Sequence, residues 1–469
     1  MPNRQTGVVN RVSSFRRRGR SARSVTAFVV AIALLSAAST ELTGVDRADA
    51  AAKRRRTVQR TPFSPPSAEY GDNLLRFTQD LDAFWSVELP RSYKMPYRAL
   101  AGYYPYDSAV MPPNCGGAMR YREIAGNAFY CRAADYIAFD NEGLFPDLFN
   151  GFGEISLGMV LAHEMGHAIQ TRTKTRLPSV YAELQADCFA GAWLRHASDG
   201  RSKLFRLDPG VIEEAIGATL AFRDRPGIGA EVQGAHGNGF DRTGAVQLGY
   251  DEGTGRCADF RKNPPAVTAT SFSAGDVATG GDVSLDDAVR IAVRSANRHF
   301  ASVPGFVPIT NVERTTRAAV EALAGQCPGT TAVLANRVAI CPDRGDGTQL
   351  LRVSESALVD AQKVGDVSAS MVLILAWTAR VQQLLGEPIR DSSVSAELRS
   401  TCLAGTWLGA AQRGEIGTVA EPLSLSPGDV DEGLITVIKA GGLSSIFDRV
   451  RALRTGFGSA AGRTACSRF

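Results

Sequence analysis

The sequence predicts an α+β protein that is mainly helical and is built as two consecutive copies of one domain, the second of them degenerate. Two observations lead to this prediction. Several landmark segments of the first half return in the same order in the second half. The long segments between these landmarks have the apolar spacing of helices, whereas short alternating runs occur only around residues 118–139.

The N-terminus differs in charge from the rest of the chain. Its first 60 residues carry 13 Lys and Arg against three acids, a net charge of +10, so the overall charge of +4 leaves −6 for the other 409 residues. Because the basic excess is confined to this end, it predicts no nucleic-acid partner.

Residues 1–50 have the features of an export signal. A basic stretch precedes the apolar run at 25–38, and the small-residue triplet at 48–50 resembles a cleavage site before Ala51. We expect a secreted or cell-envelope protein, with membrane anchoring through 25–38 as the alternative if the signal is not cleaved. Residues 51–69 are then a basic, Pro-containing linker.

The cysteines mark the repeat most clearly. Successive gaps between them are 16, 57 and 69 residues in the first half and 14, 61 and 64 in the second. "AELQADCFAGAWL" (182–194) returns as "AELRSTCLAGTWL" (396–408), and "LDPGVIEEAI" (207–216) returns as "LSPGDVDEGL" (425–434). We therefore predict domains at 70–262 and 285–469, joined by a linker at 263–284 that is rich in Gly, Pro and small residues.

An even number of cysteines in a chain with an export signal favours disulfides, and the duplication favours pairing within each copy. The alternative is that the cysteines are free, buried thiols. The predicted pairs are Cys115–Cys131, Cys188–Cys257, Cys327–Cys341 and Cys402–Cys466. The first of these would close a hairpin that turns at residues 126–127.

The periodicity of the first copy predicts helices at Leu74–Val87, Ile155–Thr171, Ala182–His196 and Val211–Arg223. The last of these follows Asp208 and Pro209, which are typical of an N-cap and a first helical position.

The stretch "LAHEMGHAIQ" (161–170) contains the strongest chemical pattern. On a helix, His163 and His167 project from the same face one turn apart, and two imidazoles at that spacing can bind one Zn²⁺ ion. Glu164 would lie beside the open coordination position and take a proton from a water molecule there. The alternative is a pair of surface histidines on an amphipathic helix.

A catalytic zinc needs a third protein ligand. Glu183 and Asp187 also share one face of a predicted helix. Glu183 would complete a His-His-Glu site, and Asp187 would accept the second ring N–H of a zinc-bound histidine. Without the neighbouring histidines, these two acids would be interpreted as a solvated helix face.

"HEMGHAIQ" followed by "ELQADCFAGAW" resembles the bacterial neutral zinc metallopeptidase family, and the resemblance covers most of residues 100–260. It implies a zincin fold that binds one zinc per chain through His163, His167 and Glu183, with Glu164 as the catalytic carboxylate and a peptide or protein as substrate. The family's later His-Gly segment is matched by "AHGNGFDR" (235–242), which departs from it at residues 238–240. His236 in this segment would stabilise an oxyanion, or it is an exposed loop histidine.

The second copy lacks these reactive groups. Alignment of residues 158–170 with "SMVLILAWTARVQ" (370–382) places Leu375 at the position of His163, Ala376 at that of Glu164 and Ala379 at that of His167. Glu397 replaces Glu183, Thr401 replaces Asp187, and Leu443 falls at the position of His236. We interpret this copy as a pseudoenzyme domain that binds a protein partner, docks substrate or supports the first copy.

Two other functions fit the motif less fully. One is a non-catalytic cell-envelope binding or scaffold protein with a structural zinc, which would need a fourth protein ligand such as His236. The other is a nuclease or esterase, although no phosphate-binding or serine-nucleophile motif is present. Whether a water molecule or His236 takes the fourth zinc position separates the structural site from the catalytic one.

Overall fold

A computed structural model describes residues 58–207, 209–323, 338–342, 349–388, 393–417, 423, 425–460 and 462–469. The predicted export signal, the N-cap at Asp208 and the Cys327–Cys341 pair involve residues outside this description. We call residues 58–262 the first half and residues 285–469 the second half. None of the helices in the described part of the chain combines the length and the apolar character needed to span a bilayer.

The first half consists of a small sheet and seven helices within its described residues. Its elements are α1 (Gly71–Tyr93), β1 (Gly102–Tyr106), α2 (Tyr121–Ile124), β2 (Ala128–Cys131), β3 (Tyr136–Asp140), α3 (Leu144–Phe152), α4 (Glu154–Arg172), α5 (Ser179–Ser198), α6 (Pro209–Ala221) and α7 (Gly239–Ala258). Strand β3 lies in the middle of the sheet, parallel to β1 and antiparallel to β2. This leaves β2 at one edge.

The second half has the same plan in its described part. Its elements are α8 (Leu285–Phe300), β4 (Ile309–Thr315), α9 (Arg317–Glu321), β5 (Val338–Pro342), β6 (Gln349–Ser354), α10 (Glu355–Gln362), α11 (Asp366–Leu384), α12 (Val394–Gln412), α13 (Asp429–Lys439) and α14 (Ile446–Phe457). Strand β6 lies between β4, to which it is parallel, and β5, to which it is antiparallel. The prediction of a mainly helical α+β fold is therefore confirmed.

Corresponding contacts occur in the two halves, whose buried apolar residues form one continuous core. Trp193 on α5 and Trp407 on α12 are both fully buried, and each donates its indole N–H over 3.0 Å to the first long helix of its own half, at Asp80 and Ser295 respectively. A buried indole needs such a partner for its N–H. The same position thus makes the same contact in each half.

Glycines allow the last helix of each half to lie against the long helix two before it in the chain, α7 against α5 and α14 against α12. A Cβ at Gly191 or Gly249 would come within 2.0 and 1.7 Å of main-chain oxygens across the α5–α7 contact. The repeat-related glycines Gly405 and Gly456 are under the same restriction between α12 and α14. Backbones can approach this closely only where no side chain intervenes.

Three of the four predicted disulfides are present in the described residues. They are Cys115–Cys131, Cys188–Cys257 and Cys402–Cys466. We call the second the α5–α7 disulfide, because Cys257 lies near the end of α7. We call the third the α12 disulfide, because Cys402 lies on that helix. The α5–α7 disulfide fixes the residue next to Asp187.

The predicted hairpin before Cys131 is wrong. The chain before residue 126 forms the short helix α2, and β2 pairs with β3 instead. The reason is local, because Glu123 accepts a hydrogen bond from the Arg120 main-chain N–H and the Glu123 N–H bonds back to the Arg120 carbonyl. This reciprocal capping closes a helical turn.

Candidate metal centre

Helix α4 presents its two histidines to a cavity while the rest of the helix is largely buried. The His163 and His167 side chains are 13% and 22% exposed. Helix α5 crosses close by at Gly166, where a Cβ would lie 2.8 Å from the Ala186 Cα. Gly166, which lies between the two histidines in the sequence, thus permits the close approach of α5 that brings Glu183 and Asp187 to the histidines.

Three potential ligand side chains converge at this crossing. The His163 Nε2 lies 3.1 Å from the His167 Nε2 and 3.1 Å from a Glu183 carboxylate oxygen. The other Glu183 oxygen is 3.5 Å from the His167 Nε2. Ligand atoms about 2.0 Å from a tetrahedral zinc are separated by about 3.3 Å. The three side chains therefore have the spacing that a bound zinc ion requires.

The hydrogen bonds on the far side of each ring fix its tautomer. The His163 Nδ1 lies 2.8 Å from the Asp187 Oδ1, and the His167 Nδ1 lies 3.0 Å from the Gln170 Oε1. The Gln170 amide nitrogen donates to the Ala182 carbonyl over 2.6 Å, so its oxygen is the atom that accepts. Since both Nδ1 atoms donate, the two Nε2 atoms and the Glu183 carboxylate face one another, an arrangement that a bound proton or a metal cation satisfies.

Arg242 on α7 holds Asp187 in place. Its Nε and Nη2 donate to the two Asp187 oxygens over 2.8 and 2.9 Å, and its Nη1 donates to the Phe222 carbonyl over 2.7 Å. Both side chains of this ion pair are 5% exposed. Burial alone would raise the pKa of Asp187, but Arg242 and His163 outweigh it and lower that pKa. The carboxylate therefore stays charged and oriented towards His163.

The zinc-free cluster binds protons strongly. Burial by itself would lower the pKa of His163, but Asp187 and Glu183 raise it to about 10. Burial would raise the pKa of Glu183, yet its bonds to the two histidines lower it well below the usual range. A metal ion must displace the histidine proton, as expected for a site that a divalent cation would fill.

Glu164 lies beside the ligands. One Glu164 oxygen is within 4.8 Å of a ring nitrogen of each histidine. The Glu183 oxygens are closer, at 3.1 Å from the His163 Nε2 and 3.5 Å from the His167 Nε2, so we assign Glu183 and not Glu164 as the candidate ligand. Glu164 is 8% exposed and lines the cavity. Burial raises its pKa above that of a free carboxyl, although the histidines oppose the shift. Such a carboxylate is suited to accept and return a proton.

The cavity at the cluster has a volume of about 420 Å³. Residues 127–130, which include most of the edge strand β2, form part of its wall. Apolar side chains line much of the remainder, among them Met159, Val160, Ala218 and Phe222. The cavity thus combines a polar centre with an apolar wall and the edge strand of a sheet, where the Tyr130 main-chain N–H interacts with Glu164.

His236 lies in the same cavity wall, as the sequence suggests, but outside the tight cluster. Its side chain is 55% exposed, and its Nδ1 lies 3.3 Å from the Asp224 Oδ1. Asp224 also accepts the main-chain N–H groups of His236 and Gly237, over 2.6 and 2.8 Å. The bond to Asp224 raises the pKa of His236. The structure therefore brings together His163, Glu164, His167, Glu183 and Asp187 and places His236 at the rim.

The corresponding region of the second half is filled by its own core. Leu375, Ala376 and Ala379 are each at most 1% exposed. Thr378 and Ser400, which correspond to Gly166 and Ala186, join α11 to α12 through their hydroxyl groups over 2.6 Å. No zinc ligand set exists among these described residues.

The carboxylate that survives in the second half, Glu397, has a different role. It is 2% exposed and accepts hydrogen bonds from the Leu443 N–H and from the N–H and hydroxyl of Ser444. Arg449 lies 3.5 Å away. Glu397 therefore holds the segment that corresponds to the one containing His236.

A second group of potential ligand atoms, from Asp282, Asp366 and Glu432, lies at the start of α11. Asp366 accepts the Val283 N–H over 2.7 Å and Glu432 accepts the Val367 N–H over 2.9 Å. These two carboxylates serve main-chain groups, so the cluster indicates no metal site by itself.

Three polar residues that complete the site were not assigned from the sequence: Gln170, Asp224 and Arg242. Gln170 follows His167 by three residues, a spacing that places both on one helix face. Arg242 returns as Arg449, because the triplet Phe-Asp-Arg occurs at 240–242 and again at 447–449, but this repetition indicates no role for the arginine. Asp224 has no such signal, because a turn between helices brings it to His236.

Residues 18–226 match the family model described as "Putative neutral zinc metallopeptidase". The match begins in the N-terminal segment, includes His163, Glu164, His167 and Glu183, and ends before α7, so it includes no residue of the second half. A relative from Escherichia coli K12, "Uncharacterized protein YpfJ", is 26% identical over 249 residues, which cover 48% of this chain and 82% of the relative. The protein of the same name from E. coli O6:H1 strain CFT073 gives the same values. No solved structure gave a significant match.

Proposed function

We propose that the first half of this chain is a zinc-dependent metallopeptidase domain whose metal is held by His163, His167 and Glu183. One observation carries the proposal. The two histidine Nε2 atoms lie 3.1 Å apart and each is within 3.5 Å of a Glu183 carboxylate oxygen, while the opposite ring nitrogens already face the acceptors Asp187 and Gln170. The family match over residues 18–226 supports the same metal and the same class of reaction.

The residues of the chain have separate tasks in this reaction. Zinc, when bound, supplies a positive charge that polarises a water molecule and the carbonyl of the scissile bond. Glu164 takes a proton from the attacking water and passes it to the leaving amine, for which a carboxyl of raised pKa is well matched. His236, held by Asp224 at the rim, donates a hydrogen bond to the developing oxyanion. Asp187 and Gln170 keep the two histidines in the ligating tautomer.

The cavity suits an extended peptide. An edge strand presents unpaired main-chain groups, to which an extended segment can add as a further strand. Strand β2 lies at the edge of its sheet, and residues 127–130 line the cavity beside the proposed metal ligands, so a substrate strand would compete with Glu164 for the Tyr130 N–H. The apolar wall formed by Met159, Val160 and Phe222 would receive a hydrophobic side chain of the substrate.

We further propose that the second half is a degenerate copy of the first and has no metal site. The supporting observations are the common strand order, the equivalent tryptophan contacts, and the glycine pairs at the α5–α7 and α12–α14 contacts. Less than half of this chain covers 82% of the E. coli relative, which fits one domain unit in that relative and two in this chain.

Export through the N-terminal segment belongs to the same proposal, with retention through 25–38 as its membrane-anchored form. The disulfides of both halves support it, because such bonds persist in oxidising compartments. A protein partner for the second half remains part of the proposal as well.

The test is Glu164→Gln in the full chain, with Glu154→Gln as the matched control. Both positions lie on α4, but Glu154 is exposed at its first turn. Zinc content is measured by elemental analysis, and hydrolysis is measured on a library of quenched fluorescent peptides. We expect Glu164→Gln to keep one zinc per chain and to lose about 10²–10⁴-fold in rate, the usual contribution of a general base. The control should keep both properties.

Full activity in Glu164→Gln on a peptide that the wild type cleaves would refute the proposed mechanism. A wild-type protein that binds no zinc would refute the metal site. A protein that binds zinc in both forms but cleaves none of the library would favour the structural-zinc alternative.

A further inference from the structure

The contact between the two halves is reciprocal. Asp431 on α13 accepts the first two N–H groups of α7, those of Gly239 and Phe240, over 2.9 and 2.7 Å. Glu213 on α6 accepts the first N–H of α14, that of Ile446, over 2.9 Å. Glu213 and Asp431 occupy the same position in the two repeats. Each half therefore supplies an acid that caps the last helix of the other half.

A second pair of contacts follows the same rule. The Gln247 side chain donates to the Phe447 carbonyl over 2.8 Å, and Arg454, its repeat counterpart, donates to the Phe240 carbonyl. The rings of Phe447 and Tyr250 lie 4.7 Å apart, and those of Phe240 and Phe457 lie 4.6 Å apart. Such an arrangement, in which each contact occurs twice with the partners exchanged, is that of a two-fold symmetric dimer interface. The second half thus occupies the place of a partner subunit.

The two ends of this interface differ in what lies beyond them. In the first half, α7 continues within one turn from Phe240 to Arg242, which holds Asp187, which in turn orients His163. In the second half, the corresponding turn leads only to Arg449 and Glu397 in a metal-free core. Asp431, Arg242 and Asp187 are each at most 6% exposed. A shift at the start of α7 is therefore transmitted through packed and charged groups to a zinc ligand.

From these contacts we infer that Asp431 is a positioning residue for the metal site of the first half, and that the second half acts as a built-in partner subunit that holds α7 in register. The inference rests on the proposed function, since it takes the His163, His167 and Glu183 cluster to be the zinc site. It assigns the degenerate half a role that needs no ligand of its own.

The test compares Asp431→Asn with its repeat-related control, Glu213→Gln, in the full chain. Each variant removes one carboxylate that caps a helix across the same interface, but only the first lies on the path to His163. Zinc affinity is measured by competition with a chromophoric chelator, and thermal unfolding is measured on the zinc-free proteins. Asp431→Glu serves as the conservative variant, because glutamate performs this capping at position 213.

We expect zinc affinity to fall about tenfold in Asp431→Asn, the lower end of the range for outer-shell partners because Asp431 acts through Arg242 and Asp187. Glu213→Gln should bind zinc as the wild type does, even if its unfolding temperature falls by a similar amount. Asp431→Glu should restore most of the affinity.

Equal zinc affinity in Asp431→Asn and the wild type would overturn the inference, and so would an equal loss in both variants. Failure of the wild type itself to bind zinc would instead reject the proposed function. If Asp431→Asn does not fold, Arg454→Ala and Gln247→Ala replace the pair, since these side chains hold the starts of α7 and α14 respectively. Loss of zinc affinity confined to Arg454→Ala supports the inference, and any other outcome refutes it.

Discussion

Replacing Asp187 by asparagine should weaken both the fold and the metal site, and the two effects can be separated. Asp187 accepts hydrogen bonds from the His163 Nδ1, the Arg242 Nε and the Arg242 Nη2, over 2.8, 2.8 and 2.9 Å. Asparagine has one acceptor oxygen and no charge, so it leaves the buried guanidinium without its counter-ion. Removing one partner of a buried ion pair costs about 3–5 kcal/mol of unfolding free energy.

The effect on zinc comes from the lost bond to the histidine. Removing a carboxylate that orients a zinc-bound histidine lowers metal affinity about 10–100-fold. We expect Asp187→Asn to lie near the upper end, about 3 kcal/mol of binding free energy. Arg242→Gln should cost a similar amount of stability but only about tenfold in zinc affinity, because Asp187 keeps its contact with His163. The double variant should recover part of the stability, since two amides can bond to each other.

Urea unfolding of the zinc-free proteins gives the stability, and competition with a chromophoric chelator gives the zinc affinity. The reasoning fails if Asp187→Asn loses stability but binds zinc as tightly as the wild type. It also fails if Arg242→Gln weakens zinc binding more than Asp187→Asn does, because the guanidinium would then act on the metal independently of the carboxylate.

Four further predictions concern the site and its surroundings. The pKa of His163 is raised to about 10 when no metal is bound, so zinc must displace a proton from this residue. Zinc affinity should therefore rise with pH from about 6.5 to about 10, and titration calorimetry in two buffers should detect the released proton. In the zinc-free protein the same group stabilises the fold fully below about pH 6.5, and unfolding experiments should show that this contribution is lost as the pH rises through about 10. Replacing both cysteines of the α5–α7 disulfide by alanine, or both of the α12 disulfide, should lower the unfolding free energy by about 4 kcal/mol, given sequence separations of 69 and 64. Only loss of the α5–α7 disulfide should weaken zinc binding, and equal effects on zinc would contradict the placement of the metal site in the first half. Glu397→Ala should destabilise the second half by about 3–5 kcal/mol in urea unfolding, since it leaves the buried Arg449 without its counter-ion. Zinc content and hydrolysis should stay at wild-type levels, and loss of either would contradict the assignment of this half as metal-free.

Local sequence patterns were sufficient to predict which side chains meet at the candidate site. The four-residue spacing in His163 and His167, and again in Glu183 and Asp187, places each pair on one face of a helix wherever that helix lies. The observed α4 and α5 extend the predicted helices by only a few residues. Repetition of the cysteines in the same order predicted the pairing within each half, which is confirmed for the three disulfides in the described residues.

Contacts distant in sequence were not predictable from such patterns. Strand β1 pairs in parallel with β3, more than 30 residues away, and the "GYYPY" that forms it gives no alternating signal. The segment before residue 126 was assigned to a hairpin, but local capping by Arg120 and Glu123 closes it into a helical turn.

The sequence by itself determined which residues can bind the metal, because a helical period fixes neighbours within one helix. Only the tertiary structure decided how those residues are held. Arg242 reaches Asp187 because glycines let α7 lie directly on α5, and Asp431 reaches α7 because the two halves pack as symmetry-related partners. Neither contact follows from a period along the chain, since each joins groups brought together by the packing of separate helices.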